Sequence, residues 1–197
     1  MTTGPTDVKV TTAAGGPWRP AVVARLTRTL GLTKHTFAAH QASQSMSSIT
    51  VRQAVFSDLE ELAELFNQYR VFQGKASDLQ AAQSFLRQRF DHGESVVFIA
   101  HENSLPLGFA QLYPSYSSTS LARVFILNDL FVNESGRRKG IASRLLAALE
   151  SYAWKHGGAR VTLNVARDNV QGQALYEAQG WSQDAQFFMY HRFPSGH

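Results

Sequence analysis

The sequence contains no cysteine. That absence excludes a disulfide scaffold, thiolate zinc ligation, thiol redox chemistry and any acyl-enzyme carried on a cysteine. No stretch approaches the roughly twenty consecutive apolar residues of a membrane-spanning helix, so no membrane partner is expected. Charge of one sign is also missing from most of the chain. The formal net charge is +4, yet five of the nineteen basic residues (Lys9, Arg19, Arg25, Arg28, Lys34) and one of the fifteen acidic ones (Asp7) lie within residues 1–47, which leaves fourteen of each beyond. A neutral domain has no general attraction for phosphate backbones, and nucleic acid is not an expected partner. What is present is a chain of 197 residues, 44% hydrophobic, enough for one domain with a real core.

Residues 1–47 read differently from the rest. Residues 1–17 are rich in Thr, Gly, Ala and Pro without alternation or helical period, and residues 20–32 carry only a weak amphipathic pattern. A disordered tail, a targeting segment, and an over-called extension upstream of Met46 are the three readings. The expectation is a disordered or over-called extension over 1–47 and one domain over 48–197. The segment lacks the apolar run of a secretory signal, and a cytoplasmic protein is expected.

Periodicity then gives the elements. Ile49–Ala54 alternates as a strand. Ser57 and Glu60 have capping-box spacing ahead of a helix with Leu62, Phe66 and Tyr69 on its stripe. A second helix fits Asp78–His92 with Gly93 as its stop. Ser95–Ala100 and Leu107–Tyr113 read as strands, with a polar loop from Pro114. Arg123–Val132 is a strand apolar on both faces, hence central. A helix over 141–156 ends at Gly157-Gly158. A strand at Arg160–Ala166, a short helix at Val170–Gln179 and a strand at Phe187–Phe193 follow, with one more short strand near Trp181. The expected fold is α/β, with a mixed, mostly antiparallel central sheet of six or seven strands and four helices.

Two segments carry chemistry. In the first, a strand ends and a basic loop, Asn133-Glu-Ser-Gly-Arg-Arg-Lys-Gly140, leads directly into a helix. The first amides of that helix have no internal partner and carry the positive end of its dipole. Gly140 allows a ligand close to the backbone, and Ala142 keeps the helix start small. A basic triad, Arg137-Arg138-Lys139, opposes the dipole at that end. A bound anion such as a pyrophosphate reconciles the two; a solvated basic turn is the alternative. The spacing is neither a P-loop nor GxGxxG. In the second segment, Asn169 caps a helix carrying Ala174-Leu175-Tyr176 and ending at Gly180-Trp181; taken alone, Tyr176 there reads as a packed core tyrosine.

Together the segments resemble the GNAT superfamily of acyl-CoA N-acyltransferases. The family pattern Gln/Arg-x-x-Gly-x-Gly/Ala stands here as Arg137-Arg138-Lys139-Gly140-Ile141-Ala142, and its Asn…Ala-Leu-Tyr…Gly-aromatic pattern as Asn169, Ala174–Tyr176 and Gly180-Trp181. The chain is similar in particular to polyamine acetyltransferases and to yeast enzymes acetylating histones or D-amino acids, from about Ile49 to Phe193. The resemblance implies acetyl-CoA as co-substrate and no metal. Pantetheine would lie along Leu130, Phe131 and Val132. The pyrophosphate would sit on Arg137, Arg138, Lys139, Gly140, Ile141, Ala142 and Ser143. Asn169 and Tyr176 would approach the sulfur.

Moving an acetyl group from a thioester to an amine needs a base for an ammonium titrating near ~10, a donor for the carbonyl oxygen and an acid for the thiolate. Tyr176 is the family's usual acid, and a backbone N–H near Leu130 is the carbonyl donor. For the base, related polyamine enzymes carry an acid where Asn128 stands. Asp129 remains open as base, amine anchor or structural carboxylate, and regular alternation would send Asn128 and Asp129 to opposite faces. Glu60, Glu61 and Glu64 could attract a cationic amine or form a solvated helix face. The acceptor is expected to be a small-molecule amine. A non-catalytic acyl-CoA sensor, or an enzyme acting on protein or tRNA-linked amines, is the alternative, and a homodimer is left open.

Overall fold

The computed structural model describes residues 48–194. The expectation for residues 1–47 therefore lies outside the described residues. Five strands, four α-helices and two short 3-10 turns follow one another as β1 (Ile49–Gln53), α1 (Leu59–Phe72), α2 (Leu79–His92), β2 (Val96–Glu102), β3 (Leu105–Ser117), β4 (Ala122–Val132), α3 (Ile141–Lys155), β5 (Gly158–Leu163) and α4 (Val170–Ala178), the turns preceding α1 and α3.

The sheet order is β1-β2-β3-β4-β5. The first four strands form an antiparallel meander, and α3 carries the chain over so that β5 lies parallel to β4. A parallel neighbour requires such a crossover. The sheet thus has five strands rather than six or seven, and is mixed rather than mostly antiparallel, because the pair that opens the site is parallel. Phe187–Phe193 forms no strand, and neither does the segment near Trp181. Strand propensity holds a segment extended only when a neighbouring ladder takes its backbone groups. Phe187-Phe188-Met189-Tyr190 is also a continuous apolar run rather than an alternating one, and all four side chains are exposed.

Helices α1 and α2 cover one face of the sheet, with Leu62, Leu65, Phe66, Leu86, Ile99, Phe109 and Phe131 in the core between them. Helix α3 covers the other, where Ile141, Leu145, Leu146 and Leu149 meet Phe98, Leu107, Leu112, Phe125 and Leu127. The α2 boundaries follow local chemistry: the Asp78 carboxylate accepts from Ala81 N–H at 2.9 Å, and Gly93 stops the helix at φ +61°. The start of α1 differs from expectation. Ser57 does not cap it. Instead the buried Asp58 carboxylate accepts from Val55 N–H and from Arg52, both at 2.8 Å. Strand β3 also runs through Pro114, because β2 no longer flanks it beyond Leu112, and an edge position tolerates the missing N–H.

Among the described residues no helix is long and apolar enough to cross a membrane, and no three His, Cys, Asp or Glu side chains gather in a way that could hold a metal ion.

Candidate active site

Strand β4 carries the decisive irregularity. Gln111 pairs with Asp129 and Leu112 with Leu127, so Asn128 is an extra residue, a β-bulge. Phe125 and Leu127 face the α3 core, and after the bulge Leu130 and Val132 face it again. Asp129 and Phe131 are thereby turned to the α1–α2 side, where Phe131 joins that core. The expected opposition of Asn128 and Asp129 fails for this reason: Asn128 Nδ2 donates to Asp129 Oδ2 at 3.1 Å.

The same point ends the β4–β5 pairing. The last matched pair is Leu127 with Leu163, and residues 128–132 run on without a β5 partner. A bulge sharpens strand twist, which suits the splay. It leaves the β4 backbone at Leu130, Phe131 and Val132 open along one edge, the geometry into which an extended ligand adds as a strand.

That open edge leads into the basic loop. Asn133 Oδ1 accepts from Gly136 N–H at 3.0 Å and from Ser135 Oγ at 2.9 Å. Gly136 is buried, and a Cβ there would meet Val132 Cγ1 at 2.9 Å, so the turn lies flat on the sheet. The chain then passes through two left-handed residues, Arg138 (φ +59°) and Gly140 (φ +75°). Nothing stands within 4 Å of the Cβ position of Gly140. The α3 ladder opens with Arg144 N–H donating to Gly140 C=O at 3.2 Å, so the amides of Ile141, Ala142 and Ser143 have no intrahelical acceptor. The three cations are not equivalent. Lys139 Nζ is 2.7 Å from Glu102 Oε2, Arg137 lies over the Phe72 ring and 4.0 Å from Glu134, and Arg138 is exposed.

On the α1–α2 side Asp129 is only 6% exposed. Burial raises its pKa, and hydrogen bonding from Asn128 and Tyr69 offsets part of that rise. Tyr69, from α1, packs 5.9 Å from both Phe109 and Phe131. Its phenol is pushed up to about 12, first by burial and then by the Asp129 charge. The Tyr113 phenol is raised by burial and by the same carboxylate. Gln111, opposite Asp129 in the ladder, is fully buried; its Nε2 donates to Ser95 Oγ at 2.7 Å. Its Oε1 has no partner among the described residues.

Tyr176 comes from α4. Asn169 Oδ1 accepts from Gly172 N–H at 2.9 Å to start the helix, and Trp181 N–H closes it on Tyr176 C=O at 3.0 Å. The Tyr176 ring lies 5.9 Å from Trp181, whose Nε1 donates to Glu150 Oε1 at 2.7 Å. Burial raises the Tyr176 pKa, and Tyr176 in turn helps raise that of Tyr69. The structure therefore brings Asn128, Asp129 and Tyr176 toward one region with Tyr69, Tyr113 and Gln111. Sequence reading missed these last three. Tyr69 showed there only as a member of a helical stripe, and no local signal marked its carboxylate partner sixty residues away.

Residues 59–181 match the model of the Acetyltransferase (GNAT) family. The chain is 46% identical over 142 residues to YhfO, an uncharacterised N-acetyltransferase of Bacillus subtilis (strain 168), covering 72% of this chain and 95% of that one. A crystal structure of a probable acetyltransferase superposes with a TM-score of 0.71 at 38% identity, covering 75% of this chain and 99% of that one. The fold is also that of an aminoglycoside N-acetyltransferase in complex with CoA, with a TM-score of 0.62 at 22% identity over 74% of this chain and 95% of that one.

Proposed function

We propose, from the premise that this chain belongs to the Acetyltransferase (GNAT) family, that residues 48–197 form a domain transferring an acetyl group from acetyl-CoA to the primary amine of a small molecule. The chain is an acyl-CoA-dependent N-acetyltransferase; the acceptor class and the residue roles are our reading. One observation carries it: the β4 edge left open at the bulge continues through the 133–140 loop to the unsatisfied amides of α3. That continuity suits a ligand with an extended amide-bearing arm and a pyrophosphate. Acetyl-CoA has both, and a solved relative of the same fold binds CoA.

In this reading the pantetheine arm pairs with the backbone of Leu130, Phe131 and Val132. The pyrophosphate takes the amides of Gly140, Ile141, Ala142 and Ser143, with Arg137 and Arg138 as cations. Lys139, paired with Glu102, anchors the loop instead. Asn169 acts through α4, since its Oδ1 is already used by Gly172. The amine nitrogen attacks the thioester carbonyl carbon, and the carbonyl oxygen leans on a β4 amide near Leu130. The C–S bond then breaks, and Tyr176, kept protonated by its raised pKa, gives its proton to the departing sulfur. Before the attack the ammonium gives one proton to Asp129, beside Asn128, or to water while Asp129 holds the amine; the nitrogen sheds its second proton as the C–S bond breaks, and that proton replaces the one given by Tyr176. A cysteine acyl-enzyme is excluded by the absence of cysteine, and direct transfer in a ternary complex is the simpler reading. The cytoplasmic location stays part of the proposal.

The test is acetyl-CoA with a panel of primary amines, read by a thiol-reactive dye. A chain without cysteine contributes no background. Amine-dependent CoA release supports the reading. Tight acetyl-CoA binding with no release on any amine would favour an acyl-CoA-sensing module.

A further inference from the structure

We propose that the acceptor amine also carries a carboxylate, and that its body lies in the groove between α1 and α2. The proposal rests on the acetyltransferase reading above. The groove, about 410 Å³, is lined by Phe66, Tyr69, Arg70, Gln73, Lys75 and Phe85. Tyr69 is the link: it lines the groove and packs 5.9 Å from Phe131, which lies on the same face of β4 as Asp129. Through Tyr69 the groove reaches the face of β4 that carries the carboxylate assigned to the amine.

The groove has two chemical characters. Phe66 and Phe85 stack with centroids 5.5 Å apart and planes 8° from parallel, an apolar wall for a hydrocarbon body. Arg70 and Lys75 supply two positive charges, and no acid is among the lining residues. Among the described residues neither cation forms a salt bridge. The nearby Asp78 carboxylate is engaged in capping α2.

The positions are built in. Gln73, Gly74 and Lys75 N–H donate back to the carbonyls of Tyr69, Val71 and Arg70, each at 2.9 Å, with Gly74 at φ +76°. Asn67 accepts from Asp78 N–H at 2.9 Å and donates to Ser77 Oγ at 2.9 Å, stapling the α1–α2 connection. A polycation meets like charge here, whereas an amine with an acidic group meets complementary charge. The acidic groove of about 490 Å³ at Glu60, Glu61 and Glu64 contains none of the site residues, and Glu61 is already 3.0 Å from His101 Nε2.

The experiment uses matched amines on the full chain: phenylalanine against phenethylamine, 6-aminohexanoate against hexylamine, and spermidine as the polycation. The expected result is a kcat/KM at least about tenfold higher for the carboxylated member of one pair, the scale of one charge-assisted contact. In the Arg70→Gln/Lys75→Gln variant that ratio collapses toward one while acetyl-CoA affinity, read by calorimetry, is unchanged. The ratio compares two substrates on one sample, so partial misfolding of the variant does not disturb it. Preference for the amines without a carboxylate or for spermidine overturns the proposal and leaves the acetyltransferase reading standing. So does a preference that survives in the variant. Weakened acetyl-CoA binding in the variant would assign the two cations to the phosphates of CoA and overturn it as well. No CoA release with any amine would overturn both.

Discussion

Replacing Tyr176 with Phe isolates a single proton. The ring stays, and with it the packing against Trp181 at 5.9 Å. The hydroxyl makes no hydrogen bond among the described residues, so its removal orphans no partner, and a desolvated polar group left alone contributes nothing to lose. Stability should change by well under ~1 kcal/mol, which for a domain of this size is a Tm shift of about 2–4 °C at most. Turnover should respond quite differently. General acid catalysis is typically worth about 10² to 10⁴ in rate, or about 2.7 to 5.5 kcal/mol of barrier. The raised pKa of Tyr176 adds a signature. An acid must hold its proton to act, so activity falls as pH rises through the folded pKa. The limb due to Tyr176 thus lies above the ordinary tyrosine value of ~10 and disappears in the variant. The assay is dye-detected CoA release across pH, with acetyl-CoA affinity by calorimetry and Tm alongside. Full turnover in Tyr176→Phe refutes the assignment. A loss matched by a large fall in Tm would return Tyr176 to packing alone.

Three further outcomes follow from the geometry. Gly140→Glu places a side chain at φ +75°, costing about 1–2 kcal/mol for an L-residue, and sets a negative charge where the pyrophosphate is assigned; calorimetry should show acetyl-CoA binding lost in a protein that still unfolds cooperatively, and unchanged affinity would move the site elsewhere. In Tyr69→Phe, Asp129 loses a hydrogen bond that lowers its pKa; if Asp129 is the base, the acid limb of kcat/KM moves to higher pH, and a limb that stays put removes Asp129 from that role. Asp58→Asn removes a buried carboxylate whose pKa is lowered chiefly by Arg52. That contribution is present above the unfolded carboxylate pKa near ~4 and lost as pH falls through the lower folded value, so urea unfolding should show the variant weaker by about 1–3 kcal/mol at pH 7 and the gap narrowing toward pH 3.

What could be read in the sequence was what is written in consecutive residues. Helix α2 announced both ends, because Asp78 accepts from an amide three residues on and Gly93 adopts the left-handed turn. The Gly140 loop and the Asn169–Trp181 segment were legible for the same reason. Errors came where neighbours in space decide. Pro114 looked like a loop signal, but its strand has lost the partner on one side. Phe187–Phe193 has strand composition without a strand to pair with. Ser57 had capping-box spacing, but Asp58 could reach both Val55 N–H and Arg52. The bulge at Asn128 matters most. With regular alternation from Leu127, which faces α3, Asp129 would face α3 as well. Asn128 would then look toward α1. One extra residue inverts this and sends the carboxylate to Tyr69. It also falls where β5 stops pairing, so a single irregularity both places the acid and opens the strand edge. Nothing in Ile126-Leu-Asn-Asp-Leu marks which residue is the inserted one, since both Asn and Asp fit a bulge. The register with β3 makes that choice, through Gln111 and Leu112. The position of the Asp129 carboxylate is therefore set by pairing between strands and not by the motif that first pointed to this region.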